Sequence, residues 1–406
     1  MPLTSPKAVA PVTSLAPPTL PITRLRSVTG ASSIVEKDRA RDQALRSRPQ
    51  PAGPGKQQSA PATVLNANVT DSGDLYLATI GVGNPPTQYT VILDTGSSNT
   101  WVGANQKYVK TSTSQPTGQQ VEVSYGSGAF KGQEYTDTVT IAPGLAVQKQ
   151  SIGVATFAEG LNGLDGIMGI GPTDLTQGTL QNQDATIPTV VDNAFTQNLI
   201  SAKQVGISFE PTTSASETNG EVSFGGPDPS RFTGSIAYVP ITSTSPANAY
   251  VGIDQSITYG SSQTPILSKT AGIVDTGTSL LMLATDALQR YVHATGATMD
   301  NNTGLYALPA DQFGNLESLF FNIGNITYEF TPDAQIWPRA LNSKLGGTDD
   351  NVYLVVGDNG SNSGSGLDFT NGLAWLERFY FVYDSGNNQV GFANTPFTNV
   401  TSNSGN

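Results

Sequence analysis

The sequence predicts an all-β protein of two related lobes, on three observations. Strand-forming Val, Ile, Tyr and Phe are spread along a chain in which turn signals recur at short intervals. Only 13% of the residues are charged, and long stretches with helical apolar spacing are scarce. An apolar segment running into Asp-Thr-Gly occurs twice, at 91–98 and 272–279, about one domain length apart.

A chain of 406 residues has room for two domains and a substantial core. Its first part differs from the rest. Residues 1–60 carry nine Lys and Arg against three Asp and Glu, a net +6, whereas the remainder nets −18. A basic segment over 1–62 ahead of an acidic body reads either as a solvated tail or as a removable cover docked by charge. Residues 1–23 are Pro-rich without an uninterrupted apolar run, so a conventional signal peptide is not visible there.

Beyond about Ala62 apolar and polar residues alternate, as in Asp74-Leu-Tyr-Leu-Ala-Thr-Ile-Gly-Val-Gly83, which reads as the start of the folded body. Loop-like runs at 212–220 and 225–230 suit connections and divide the body into lobes at 63–237 and 238–398, followed by a polar tail at 399–406. Thr285–Gly296 reads as a short helix. Its Leu288, Tyr291 and Val292 share a face that the single histidine, His293, does not, so His293 is expected at the surface.

Several function classes are excluded or disfavoured. Without cysteine there are no disulfides, thiolate nucleophiles or Cys-based metal sites, and one histidine with no HExxH motif rules out the common zinc hydrolase arrangement. No metal or cofactor is expected. The net charge of −12 disfavours nucleic acid, which needs clustered Lys and Arg. No run approaches the roughly 18 apolar residues that span a bilayer, so no membrane partner is expected. Five N-x-S/T sequons, at Asn68, Asn301, Asn325, Asn359 and Asn399, suit an exported glycoprotein.

The repeat carries the chemistry. Val91-Ile-Leu-Asp-Thr-Gly-Ser-Ser98 aligns without gaps to Gly272-Ile-Val-Asp-Thr-Gly-Thr-Ser279. One Asp-Thr-Gly is an ordinary turn after a strand. Two copies in duplicated context place one carboxylate in each lobe, Asp94 and Asp275, and close carboxylates cannot both ionise, so the pair shares a proton. One acid is then a base for water and the other a proton donor to a scissile carbonyl, with no covalent intermediate. Gly96 and Gly277 allow close backbone approach and offer an N–H to a carboxylate. Ser97 and Thr278, three residues beyond each acid, have hydroxyls within reach of the outer oxygens, and Thr95 and Thr276 are placed to bond across the lobes. A glycosidase using the same two acids is the competing catalytic reading, and it needs a wider carboxylate pair.

Leu93-Asp-Thr-Gly-Ser-Ser-Asn-Thr-Trp101, Tyr125-Gly-Ser-Gly128, Asp165-Gly-Ile-Met-Gly169, Val274-Asp-Thr-Gly-Thr-Ser279 and Phe379-Tyr-Phe-Val-Tyr-Asp384 together resemble the pepsin family of aspartic proteases, in particular its basidiomycete branch, over roughly Asn66 to Thr398. The resemblance implies a bilobal fold of two barrel-like lobes with a cleft between them, and acid-pH endopeptidase activity on protein or peptide substrates. It further implies inhibition by pepstatin-type compounds, a monomer, and secretion or residence in an acidic vacuole. The alternative is an inactive relative that binds peptides in the cleft.

The strand, Gly-rich turn and strand of Val121–Gly132 read as a β-hairpin. By resemblance this is the flap over the substrate, with Tyr125 near its tip, Gly126 and Ser127 offering backbone bonds, and Trp101 bonding the flap tyrosine. Ile167-Met168-Gly169 fits the family's apolar-apolar-Gly element under the first aspartate, whereas the counterpart Thr370-Asn371-Gly372 is polar. Ser127 stands where relatives that favour Lys carry an acid, so cleavage between bulky apolar residues is expected. The resemblance also makes the basic segment a propeptide across the cleft, released as acid protonates the body. One of the basic residues in Lys37-Asp-Arg-Ala-Arg41 is a candidate to reach the aspartates, and the sequence leaves the choice open.

Overall fold

A computed structural model describes residues 16–27, 31–48, 73–126, 128–161, 163–181 and 185–403. Strand β1 (Thr19–Ser27) alternates Leu20, Ile22 and Arg24 inward, and helix α1 (Ala31–Ser47) follows it. Neither behaves as a solvated tail. β1 is inserted between β2 (Gly73–Val82) and the strand Ser216–Phe224, antiparallel to both. α1 buries Ile34, Lys37, Asp38, Arg41, Asp42 and Leu45, a single stripe with an apolar residue at each end and charges between. Ile34 joins the main core, and Leu45 packs on Leu175, Tyr250, Ile273 and Leu367. Burial of each contributes roughly 1.5–3 kcal/mol to holding the helix down.

Among the described residues the largest sheet has 13 strands and runs from Thr233–Pro240 through the C-terminal hairpin Phe379–Asp384 and Gln389–Asn394, across β1 and β2, and into the first half of the chain. There its strands are β3 (Thr87–Asp94), β4 (Thr100–Val102), the long hairpin β5 (Gln115–Tyr125) and β6 (Gly128–Ala142), β7 (Leu145–Glu159) and β8 (Gly166–Gly169), set side by side in the order β3, β8, β4, β7, β6, β5. A seven-stranded sheet gathers most of the remaining strands.

The repeat in sequence is a repeat in topology. β3 runs parallel to β8, pairing Leu93 with Met168 and Asp94 with Gly169, and β4 lies antiparallel on the other edge of β8. In the second half Thr264–Val274 runs parallel to Phe369–Asn371, pairing Ile273 with Thr370 and Val274 with Asn371, and Leu281–Leu283 lies antiparallel beyond it. Val91, Ile92 and Leu93, like Ile273 and Val274, are buried, as expected for parallel strands covered on both faces. Each acid therefore sits at the end of a strand clamped inside its own half.

The helix Thr285–Thr295 buries Leu288 and Tyr291 and leaves His293 exposed. Asn301, Asn325 and Asn399 are exposed, and Asn68 lies outside the described residues. Asn359 corrects the sequon expectation. Its side chain is fully buried, donating from Nδ2 to Leu367 O at 3.2 Å, which leaves no space for a glycan. No helix among the described residues is long and apolar enough to cross a membrane.

Candidate active site

The two Asp-Thr-Gly turns meet. Thr95 N–H donates to Thr276 Oγ1 and Thr276 N–H to Thr95 Oγ1, each at 3.0 Å, while Thr95 Oγ1 donates to Val274 O at 3.2 Å and Thr276 Oγ1 to Leu93 O at 2.8 Å. These four buried bonds run between the halves and fix the separation of the acids. Gly96 N–H donates to Asp94 Oδ1 at 3.0 Å and Ser97 Oγ to Asp94 Oδ2 at 2.5 Å. Gly277 N–H and Thr278 Oγ1 treat Asp275 alike, at 3.1 and 2.6 Å. A Cβ on Gly96 would strike Asp275, and one on Gly277 would strike Asp94, so glycine is what lets the carboxyls approach.

Between them lies Arg41 of α1. Its Nη2 donates to Asp94 Oδ1 at 2.6 Å and to Asp275 Oδ1 at 3.0 Å, and its Nε donates to Asp275 Oδ2 at 2.6 Å. One planar guanidinium spans both acids, a geometry that a lysine ammonium cannot reproduce. The acids are at most 1% exposed. Burial raises Asp94, opposed by Arg41 and reinforced by Asp275. For Asp275 burial also acts upward, but the charge and hydrogen bond of Arg41, with Thr278 and Gly277, outweigh it and hold the group below the ordinary range. Neighbouring carboxyls are thus driven apart in affinity for a proton.

The hairpin of β5 and β6 closes over this arrangement, pairing Tyr125 with Gly128. Trp101 Nε1 donates to Tyr125 OH at 2.9 Å, and the indole stacks on Phe130 with ring centroids 4.2 Å apart. Gly126 lies so close to Ala40 O and the Arg41 backbone that any side chain there would strike α1. Ser127 lies outside the described residues. Leu75, Ile92, Tyr125, Leu161 and Ile167 form an apolar wall of a cavity beside Asp94 that Lys37, Arg41 and Glu159 also line.

A family model described as Eukaryotic aspartyl protease matches residues 75–395. The chain belongs to the eukaryotic aspartyl proteases, a family of aspartic endopeptidases. It is 60% identical over 329 residues to polyporopepsin from Irpex lacteus, covering 81% of this chain and 96% of that protein. Pepsin A from Rhinolophus ferrumequinum is 32% identical over 335 residues, 78% of this chain and 80% of that one. The crystal structure of the aspartic proteinase from Irpex lacteus superposes with a TM-score of 0.79 at 59% identity, covering 81% of this chain and 96% of that one. The family and basidiomycete kinship expected from the motifs are therefore found.

Within this aspartyl protease, the partners of some residues at the site had no signal in the motifs. Thr370 and Asn371, the polar pair beneath Asp275, each have a partner. Thr370 Oγ1 donates to Asp42 Oδ1 of α1 at 2.8 Å, and Asn371 exchanges amide bonds of 2.9 and 3.1 Å with Gln255, both side chains being fully buried. The Asn371 carbonyl meanwhile accepts Asp275 N–H at 3.2 Å. On β1, Arg24 forms a buried ion pair with Glu377 and lies 5.7 Å from the Tyr76 ring centroid.

Proposed function

We propose that this aspartic endopeptidase is made in a self-covered form, in which part of the segment 1–62 blocks the cleft and Arg41 occupies the place of the reacting groups. The single observation that carries the reading is the Arg41 guanidinium bonded to Asp94 and Asp275 together. The body then comprises lobes at 63–237 and 238–398 with the cleft between them. In this reading Asp94 and Asp275 activate water, Thr95, Gly96, Ser97, Thr276, Gly277 and Thr278 hold them, and Tyr125, Gly126 and Ser127 form a flap steadied by Trp101.

With the cover gone, the pair shares one proton, the established arrangement in aspartic proteases. The ionised member takes a proton from a water held between the acids, and the protonated member donates to the carbonyl oxygen as the water attacks. Duplicated strands and the Thr95–Thr276 bonds hold this geometry without reorganisation. Folding of the flap over an extended peptide excludes solvent. The apolar lining beside Asp94 supports cleavage next to bulky apolar residues. We further read the protein as a secreted or vacuolar monomer, sensitive to pepstatin-type inhibitors, with glycans at Asn301, Asn325 and Asn399.

Arg41 release follows from the sign of the Asp275 shift. A group held below its ordinary value contributes to the covered state above that value and loses the contribution as pH falls, so the ion pair weakens in acid. The test is digestion of a denatured protein at acid pH, with and without pepstatin, by the wild type and by Asp94→Asn and Asp275→Asn variants. Loss of activity in both variants is expected. Undiminished proteolysis in either one overturns the assignment.

A further inference from the structure

Four charged side chains of α1 are buried, Lys37, Asp38, Arg41 and Asp42, and the two acids have the wrong sign for a cover attracted to an acidic body. Asp38 and Asp42 stand one helical turn apart and are fully buried. One oxygen of each is bonded to the second half of the chain: Asp38 Oδ2 accepts the N–H groups of Ser279 and Leu280 at 3.0 and 2.9 Å, and Asp42 Oδ1 accepts Thr370 Oγ1 at 2.8 Å. The other oxygens, Asp38 Oδ1 and Asp42 Oδ2, have no hydrogen-bond partner among the described residues. An ionised carboxylate has about four lone-pair sites to satisfy, and a buried one with an oxygen left bare is far costlier than a neutral acid.

The surrounding charges do not reverse this. Lys37 and Arg41 act on Asp38 from its own helix, and the cavity beyond Ser279 and Leu280 is lined by Arg24, Glu377 and Arg378. Asp42 feels Arg46 in its favour and Asp38 and Asp275 against it. Arg41 is engaged by Asp94 and Asp275, and Arg46 is shared with Asp358 and Asp368. Burial, only partly opposed by these donors and cations, raises Asp38 and Asp42 to about 7.

We propose that Asp38 and Asp42 enter the cleft as neutral carboxylic acids, so that covering the site takes up protons and these two side chains brake the opening of the cover in acid. The proposal rests on the reading of α1 as a cover. Its sign is opposite to that of the Arg41 contact. Uncovered and solvated, both aspartates ionise in the ordinary range near 4. Their contribution to the covered state is therefore full below about pH 4 and is lost as pH rises toward about 7, by up to tenfold in the closing constant per pH unit for each carboxyl. Acid loosens Arg41 but tightens its neighbours, which delays release to a lower pH than attraction between a basic segment and an acidic body would set.

The experiment is amide hydrogen exchange of α1 in the full-length chain at pH 4.5 and 6.5, within seconds of mixing and before trimming, for the wild type and the double variant Asp38→Asn/Asp42→Asn. Asparagine keeps the shape and the acceptor oxygen without the charge. The expected result is stronger protection of α1 in the variant at pH 6.5, by at least about 100-fold, with a gap that narrows toward pH 4.5. Equal or weaker protection in the variant at pH 6.5, or a gap that does not change with pH, overturns the proposal. Amides of β3 report whether the variant is folded, and an Asp38→Ala/Asp42→Ala chain, lacking the acceptors as well, should be less protected than the Asn variant. Exchange of wild-type α1 at unfolded-chain rates at both pH values would overturn the cover reading itself, an outcome distinct from a protected but pH-indifferent helix.

Discussion

Replacing Arg41 by alanine isolates the contact that blocks the site. The guanidinium makes three hydrogen bonds, at 2.6, 2.6 and 3.0 Å, to two carboxyls that are almost fully buried. Deleting one partner of a buried ion pair costs about 3–5 kcal/mol. Here the lower end applies, because the two orphaned carboxyls relax by sharing a proton. About 3 kcal/mol is a factor on the order of 150 in the closing constant. The β1 pairing remains, so the strand stays in the sheet while the helix lifts more often, held only by the burial of residues such as Ile34 and Leu45 and its other contacts. The assay is the initial rate of full-length chain on a fluorogenic peptide at pH 5.5, read before trimming. Arg41→Ala should exceed wild type by about 50-fold or more, and Arg41→Lys, which keeps the charge without the fork, should fall between them. Trimmed wild type and trimmed Arg41→Ala are the same molecule and supply the ceiling. An Arg41→Ala chain as latent as wild type, whose trimmed form is fully active, would refute the role of Arg41.

Three further outcomes are expected. Glu134 on β6 is 2% exposed, its carboxyl is bonded among the described residues only by Ser151 Oγ, and burial raises it to about 7; its stabilisation is present below the ordinary range and lost as pH rises through about 7, so Glu134→Gln should reduce the fall in melting temperature between pH 5 and 8, by an amount worth up to about 3 kcal/mol. Removing the Tyr125 hydroxyl leaves Trp101 Nε1 without its acceptor in the closed hairpin, so Tyr125→Phe in the trimmed enzyme should lower kcat/KM by about tenfold with little change in thermal stability, measured by peptide hydrolysis and calorimetry. Gln255→Leu or Asn371→Leu alone should cost about 1–3 kcal/mol of stability by stranding a buried amide, whereas the double variant should recover most of it, as read from a chemical-denaturation cycle; additive losses would show that the pair is not coupled.

Legibility of this molecule from its sequence follows the range of the interactions. The Asp-Thr-Gly turns were readable because their chemistry is local: Gly96 and Ser97 reach Asp94 from two and three residues away, and Gly277 and Thr278 do the same for Asp275. The hairpin of β5 and β6 was readable because alternation and a Gly-rich turn define it without reference to anything else. Helix α1 was not, although it touches the same two acids. Its buried stripe runs Ile34, Lys37, Asp38, Arg41, Asp42, Leu45, and apolar periodicity fails when the middle of the stripe is charged. Those charges have a place only because Arg41 meets carboxyls 53 and 234 residues away and Asp42 meets a hydroxyl 328 residues away.

The same reasoning explains why Thr370-Asn371-Gly372 reads as a departure in sequence and as a fit in space. Its glycine lies against the Thr278 and Leu280 carbonyls, and the strand pairing that supports Asp275 is intact. Asn371 is polar because Gln255, on the neighbouring strand Gly252–Tyr259, supplies a complete amide partner, so neither group is left unsatisfied. Thr370 is polar where it meets Asp42 of α1, the helix proposed as the cover. An apolar residue at 370 would therefore preserve the strand beneath Asp275 while removing the only side-chain hydrogen bond that Asp42 makes among the described residues. Judged on the trimmed enzyme such a replacement is conservative; judged on the covered chain it strips a donor from a buried acid. The polar pair is best understood as serving two states, one residue the support of the acid and the other the grip on its cover.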